Sequence, residues 1–370
     1  MRNRINTQVR VAVATGAWLP LLTGMTLSAH ADINLSEQEA FDRYFRLPTT
    51  SQLSDWNQHF SMGAAVGFNI SAKFNESGVF NLPGGGLANG VYDDGYVHLD
   101  NSGDTQYTSN WGYQNASQVQ NTPTGQQVVM HDTTSYQTAG SASEVNGGPF
   151  PGFELDYGGS LHQWQNFRLG WDLGFDLVPM SFTDHAMMTA TVNQSAYTFN
   201  VPANVVVPGP PPYQGPTSGN GALLSTEYSS STNSVTSGTV SGSRSLEAIL
   251  YGLRLGPTLY WDISRNWSVS LGAGPALGIV SGEYKYNEVI MTGSSGAPSS
   301  GSFNGLDLVF GGDVNATLLY HTADSARPVD LYLSAQYFNL GSADFNQGGR
   351  DAKLDLSGQI YISAGVNWAF

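Results

Sequence analysis

Apolar residues recur at every second position over eight stretches of this chain, the period expected of strands with one apolar face. Phe60, Met62, Ala64, Val66, Phe68, Ile70, Ala72 and Phe74 share the first face. Phe153, Leu155, Tyr157 and Leu161 make the second, and Phe167, Leu169, Trp171, Leu173, Phe175 and Leu177 the third and cleanest. The pattern repeats over residues 249–261, 267–279, 306–320 and 329–337, and finally over 354–370, where Ile360, Ile362, Ala364, Val366, Trp368 and Phe370 align. Each stretch is long enough for the roughly 9–11 residues that a tilted membrane strand requires.

The connections alternate in length. Residues 162–166, 262–266 and 321–328 are short, 75–149 and 181–245 are long, and 286–302 and 341–352 are intermediate. Short turns on one side and long loops on the other predict an all-β fold. It is a transmembrane antiparallel up-and-down β-barrel of eight strands over residues 57–370, with large loops at 75–149 and 181–245. An even strand number places both termini on the short-turn side. Residues 87–139 contain weaker strand-like pieces, read as hairpins within a folded extracellular loop. If they join the wall instead, the count becomes ten to twelve. Pro257 and Pro275 interrupt predicted strands, each after a glycine, so bulges are expected there.

Aromatic residues gather at the short-turn end: Trp56, Phe60, Trp261, Trp267, Tyr320, Trp368 and Phe370. Amphipathic rings at that level form the girdle expected where a barrel wall meets the membrane–water interface. The final strand resembles the C-terminal assembly signal of Gram-negative outer-membrane β-barrels, which typically ends in Phe and is read by the barrel-assembly machinery. The whole of residues 57–370 resembles the small members of that class, the outer-membrane protein A transmembrane domain and the OmpX and OmpW types. The stretches 92–97 and 111–113 also resemble a recurring signature of uncharacterised outer-membrane barrels, and no activity comes with that similarity. The resemblance implies location in the bacterial outer membrane, with outer-membrane lipid and lipopolysaccharide as surroundings.

The other end agrees. Arg2, Arg4 and Arg10 precede a mostly apolar stretch, and Ala29-His30-Ala31 fits a small-x-small cleavage pattern. Residues 1–31 are therefore expected to be a signal peptide, and 32–56 a periplasmic arm. Ser36 and Glu39 make a capping box before Phe41, Tyr44 and Phe45, so a short helix is expected before Pro48.

The chain has no cysteine, which excludes disulfides and thiol chemistry. Its formal net charge is −15, and loss of the three signal-peptide arginines takes it to about −18, which argues against nucleic acid as a partner. Alternate positions read inward give a polar network of Glu154, Asp156, Arg168, Asp172, Asp176, Arg254, Asp307 and Asp313. An eight-stranded barrel is just wide enough for side chains to fill it, so these groups are expected to pair across the lumen.

No residue set points to catalysis. The histidines are scattered, Ser160 and His162 are an unremarkable pair, and no Gly-x-Ser-x-Gly elbow is present. Asp93, Asp94, Asp100 and Asp104 crowd one loop without the spacing of a calcium loop. No metal, cofactor or catalytic residue is assigned. The function expected is a non-enzymatic structural or interaction protein at the cell surface, with a filled lumen and a possible surface ligand. The alternative is a narrow channel or porin for small solutes, and a lipid-modifying enzyme is more remote.

Overall fold

A computed structural model of the chain describes residues 58–82, 86–164, 167–218, 220–264, 266–293, 295–322 and 329–370. The expected signal peptide, the arm and Trp56 lie outside the described residues. The long strands are β1 (Gln58–Phe68), β2 (Ile70–Asn81), β8 (Gly125–Gly147), β9 (Phe150–Gln163), β10 (Phe167–Asp184), β11 (Met188–Asn200), β14 (Tyr228–Asp262), β15 (Trp267–Thr292), β16 (Ser295–His321), β17 (Val329–Gln347) and β18 (Arg350–Ala369). Between them lie short strands: β3 (Val91–Tyr92), β4 (Gly95–Val97), β5 (Tyr107–Thr108), β6 (Trp111–Tyr113), β7 (Val119–Thr122), β12 (Tyr213–Gln214) and β13 (Leu224–Ser225).

The fold is an antiparallel β-barrel. Pairing runs from β1 through β9, β10, β14, β15, β16, β17 and β18, and β18 pairs with β1 again. The last link is made in full, from His59 opposite Ala369 to Phe68 opposite Ile360. Higher up, β2 pairs with β18 and β8, and β8 and β11 carry the wall across to β14. β16 and β17 part company above Gly312 and Asn339, where their ladder ends.

Two storeys with opposite layering result. In the lower storey the outward side chains are apolar and exposed, among them Met62, Phe153, Leu173, Leu255, Leu271, Phe310, Leu333 and Ile362. The inward ones are polar. In the upper storey Ile70, Phe74, Val178, Phe182, Leu246, Val280, Tyr284, Phe345 and Leu354 point inward and form one buried core, while exposed Lys73, Glu144, Ser237, Asn287, Ser302 and Lys353 face out. Strands β10, β14 and β15 make this change by sequence alone, keeping one pleat throughout.

Other strands make it by inverting the pleat. Asn69 has φ 59° and Gly358 φ 81°, and Gly148 and Gly341 are likewise left-handed, at 106° and 81°. At these four positions the left-handed residue turns the following side chains to the opposite face. Ile70, Ala72 and Phe74 were expected outward with Phe60–Phe68; they are buried inside, because Asn69 intervenes. Leu354 and Leu356 are buried for the same reason, on the other side of Gly358 from the exposed Ile360 and Ile362.

The expected loops are shorter than the spacing suggested. Wall strands occupy residues 125–147, 188–200 and 228–245, so residues 87–139 divide between wall and loop. The remaining segments fold together as a cap. β12 pairs with β6 and β13 with β5, and Trp111, Tyr113, Phe199, Val207 and Leu224 share a buried cluster. At Pro257 and Pro275 the ladder lapses between the pairs Arg254–Ala276 and Thr258–Gly272 and resumes in the same register. No bulge forms. Gly256 and Gly274 allow the close approach instead, since a Cβ on either would sit 2.2–2.3 Å from a carbonyl oxygen of the facing strand.

Candidate functional site

Arg254 organises the lower interior. It projects from β14 across space that Gly174 leaves open; a Cβ there would lie 2.3 Å from the guanidinium Nε. Its Nη2 meets Glu154 at 2.5 Å and Asp156, both on β9, and its Nε lies 3.7 Å from Asp176 on β10. Glu154 also accepts bonds from Tyr332 at 3.3 Å and from Gln336. Asp172 accepts the Tyr260 hydroxyl at 2.9 Å and faces His59 at 3.1 Å. Asp313 accepts from Asn315 at 3.2 Å. A cavity of about 40 Å³ lies among these groups, lined by Glu154, Asp156, Asp172, Arg254, Ser270 and Asn315 with others.

Of the expected network, Glu154, Asp156, Asp172, Asp176, Arg254 and Asp313 therefore come together. Arg168 stands apart and pairs with Asp262 at 3.2 Å. Asp307 does not belong to it. Its carboxylate accepts the backbone amides of Leu308 and Asp344, at 2.8 and 2.9 Å, where β16 and β17 have separated. It satisfies the free edge of β17 that the missing ladder leaves.

A second layer closes the lower mouth, and its order follows the wall. Ser61 donates to Asn367 at 3.0 Å, and Asn367 to Asp330 at 3.3 Å. Asp330 faces His321 at 3.1 Å, and His321 Nε2 meets Ser268 Oγ at 2.5 Å. Ser268 donates to Asp262 at 2.7 Å, which in turn takes Arg168. The contacts pass through β1, β18, β17, β16, β15, β14 and β10 in turn. Ser268, His321 and Asp330 have the outline of a nucleophile, base and orienting acid. However, Ser268 is 1% exposed and gives its proton to Asp262. It serves as a wall-to-wall bond.

A third layer sits above the apolar core. Arg244 pairs with Asp184 at 2.8 Å and Glu288 at 3.4 Å, and Arg350 with Glu76 and Glu288 at 3.3 Å each. Arg350 also donates to Tyr136 at 2.6 Å and stacks 3.7 Å from the Tyr286 ring centre. Burial, and then the neighbouring Glu288, push the Glu76 carboxyl up to about 8. None of these residues was expected, because they lie in segments read as loop.

The cap is fastened by acids. Asp94 accepts the His131 amide at 2.8 Å and its ring Nδ1 at 2.6 Å, and Asp93 accepts the Thr133 amide at 2.7 Å. The Asp94 hydrogen bond raises the His131 pKa. Asp100 is spent on Ser102 and Ser109, whose hydroxyl and amide donors hold its carboxyl below the usual range. Among the described residues, no group of three or more His, Asp or Glu side chains is placed to hold a metal ion.

Of the aromatic residues expected to form a girdle, Phe60, Trp261, Trp267, Tyr320 and Trp368 meet rings on neighbouring strands in pairs. Phe60 stacks on Trp368 at 6.1 Å, Phe167 on Trp261 at 5.9 Å, and Trp267 meets Tyr320 at 4.9 Å. Phe370 exchanges two backbone hydrogen bonds with Gln58, at 3.0 and 3.1 Å.

No protein-family model matches the chain, and no curated protein does. Similar solved structures include the attachment invasion locus protein Ail of Yersinia pestis, in complex with the heparin analogue sucrose octasulfate. It is 10% identical at a TM-score of 0.24, over 84% of this chain and 99% of that one. The outer membrane protease OmpT from Escherichia coli is 12% identical at a TM-score of 0.28, over 88% and 99%. A Pseudomonas aeruginosa FadL homologue is 10% identical at a TM-score of 0.18, over 85% and 90%.

Proposed function

We propose that the protein is an integral protein of the bacterial outer membrane, with an eight-stranded wall, a sealed interior and a surface role as anchor and display platform for its cap. The inversion of layering carries this reading. An exposed apolar belt with polar groups inside suits lipid as the outer solvent. Polar groups outside and an apolar core inside suit water. The boundary runs through Asn69 and Gly358, so the lower storey spans and the upper storey stands above the outer leaflet. The ring pairs then lie at the periplasmic interface, where Phe60, Trp261, Trp267, Tyr320, Trp368 and Phe370 act as girdle. Lipid and lipopolysaccharide surround the wall, and the barrel-assembly machinery reads the terminal strand.

The interior favours an anchor over a channel. A solute crossing the lumen would have to pass the charged Arg254 layer and then a close-packed apolar core, which offers no polar path. The protein is read as non-enzymatic, with its interaction surface on the cap. Two measurements test this. The chain has no cysteine, so a single cysteine introduced at Ser237 or Asn101 is a clean reporter. It is expected to react with a membrane-impermeant maleimide on intact cells, while one at Ser264 does not. Planar bilayers holding the refolded protein are expected to show no stable conductance; regular steps would favour the channel.

A further inference from the structure

We infer that Glu76 and Glu288 form a carboxyl pair sharing one proton, and that this proton latches the upper end of β2 to the wall in mild acid and releases it as the pH rises. Both side chains are buried, at 0% and 1% exposure, and they come within hydrogen-bonding reach of each other. Two carboxylates in that position repel, whereas a carboxylic acid donates to a carboxylate. Neither Glu76 oxygen receives a donor among the described residues; Arg350 Nε lies 3.3 Å from one of them without the alignment of a hydrogen bond. A proton on Glu76 turns the contact with Glu288 into a bond.

The surroundings set the number of protons at one. From β18, Arg350 faces both Glu76 and Glu288, at 3.3 Å each; from β14, Arg244 faces Glu288 at 3.4 Å and Asp184 of β10 at 2.8 Å. Tyr136 on β8 donates to Glu288 at 3.5 Å, and Tyr284 on β15 lies close enough to Glu76 to feel its charge. Three carboxyl groups therefore meet two arginines, and one proton makes the layer neutral. Water alone would satisfy the oxygens and leave a buried charge uncompensated, which is costly. The Phe80 and Tyr286 rings, 4.3 and 3.7 Å from the Arg350 guanidinium, fix that cation beside the pair.

The pair also sits where the wall is least tied. The β2–β18 ladder runs from Ser71 to Glu76 and ends there, opposite Arg350. The β2–β8 ladder slips its register between Asn75 and Ser77. Beyond Glu76, the Ser77 amide bonds the Gly349 carbonyl at 2.8 Å, after the ladder to β18 has ended. Burial, and then Glu288, raise the Glu76 pKa from 4.5 to about 8, so the closed form holds a proton that an open form releases. This contribution to closure is complete below about pH 4.5 and is lost as the pH rises through about 8. Residues 77–81 then open with Phe80, which in the closed form stacks on Tyr136 at 5.0 Å, while the wall below Asn69 keeps its full ladder. The latch is internal to the chain; its exposure to the external medium rests on the outer-membrane reading above.

The test is hydrogen exchange, read by mass spectrometry, on the refolded full-length mature chain in non-ionic detergent, corrected for the pH dependence of intrinsic exchange. Protection over residues 74–81 is expected to fall by up to about tenfold per pH unit between pH 5 and 8 and to level off above that, while residues 59–68 and 360–369 stay unchanged. Glu76→Gln keeps a donor to Glu288 without a titratable proton, so its protection over 74–81 should not depend on pH. The infrared band of a protonated carboxyl should be present at pH 6 in the parent protein, lost at pH 9, and missing from Glu76→Gln. If that variant does not fold, the parent's own exchange and infrared profiles decide. Flat protection over 74–81, an equal fall over 59–68, or no carboxyl band lost between pH 6 and 9 would each overturn the inference. So would a fall that persists in Glu76→Gln. None of these outcomes depends on where in the cell the protein resides.

Discussion

The Asn69 side-chain amide donates a 2.8 Å hydrogen bond to the carbonyl oxygen of Gly358. Both residues are left-handed, and they lie where two adjacent strands exchange their inner and outer faces. The bond therefore ties together two pleat inversions at one height.

Replacing Asn69 with Ala removes the bond and places a Cβ-bearing residue without a compensating polar side chain at φ 59°. The expected loss is about 1–3 kcal/mol in urea unfolding. Asn69→Gly keeps the backbone conformation and loses only the bond, so its loss should be smaller, about 1 kcal/mol. Equal losses would mean that the conformation contributes nothing.

Arg254→Ala leaves Glu154, Asp156 and Asp176 without their shared cation. Breaking a buried pair from one side costs about 3–5 kcal/mol. Adding Glu154→Gln to that variant should restore part of the loss, since it removes one of the stranded charges. The double-mutant cycle in detergent checks this; additive losses would show that the two residues do not interact.

Much of the fold was legible because a barrel wall that is apolar outside and polar inside must alternate strictly. Phe167–Leu177 and the 267–279 stretch could be read directly, and so could the inward parity of Glu154, Asp172, Asp176 and Arg254. The upper storey was not legible. Above the belt the outer face is Ser, Thr, Asn and Gly rather than apolar, so residues 228–245 read as loop although backbone pairing makes them wall. The layer of Glu76, Arg244, Glu288 and Arg350 was lost with them. Parity also misassigned Ile70 and Phe74, because a single left-handed Asn leaves no mark in a period-2 pattern. His59, Asp262 and Asp330 did carry a usable signal, since each continues the inward parity of its strand.

Glu76 makes the upper storey sensitive to alkali. Its folded pKa, about 8, lies above the ordinary 4.5, so the folded state holds a proton that the unfolded chain releases. Stability from this group is fully present below about pH 4.5 and falls as pH rises towards 8, by at most ~1.4 kcal/mol per pH unit. Glu76→Gln keeps the shape without the charge. Its melting temperature should exceed that of the parent protein at pH 9 and match it more closely at pH 5. A parallel pH profile in the two proteins would exclude Glu76 as the cause.

His131 and Asp94 should fasten the cap more firmly in mild acid. The His131 pKa is raised by its Asp94 bond, so this contribution is complete below the unfolded value of 6.5 and is lost as pH rises through the folded one. Cleavage within residues 98–110 by an added protease is expected to quicken between pH 6 and pH 8.5, relative to cleavage of an unstructured control peptide. Asp94→Asn should cleave faster at pH 6 and lose most of that pH dependence. Unchanged cleavage in the variant would locate the fastening elsewhere.

Phe370 closes the wall with backbone more than side chain. Its amide and carbonyl both bond Gln58, at the start of the β1–β18 ladder, while the residue as a whole is 63% exposed. Deleting it removes two hydrogen bonds and an exposed ring. Phe370→Ala removes the ring alone. If closure is the main role, the deletion should unfold at lower urea than Phe370→Ala after refolding into vesicles. If the ring is what the assembly machinery reads, both variants should be exported and both should fail to reach the outer membrane in cells. Cell fractionation beside the vesicle measurement separates the two roles, and normal levels of both variants in the outer membrane would remove the terminal aromatic from assembly.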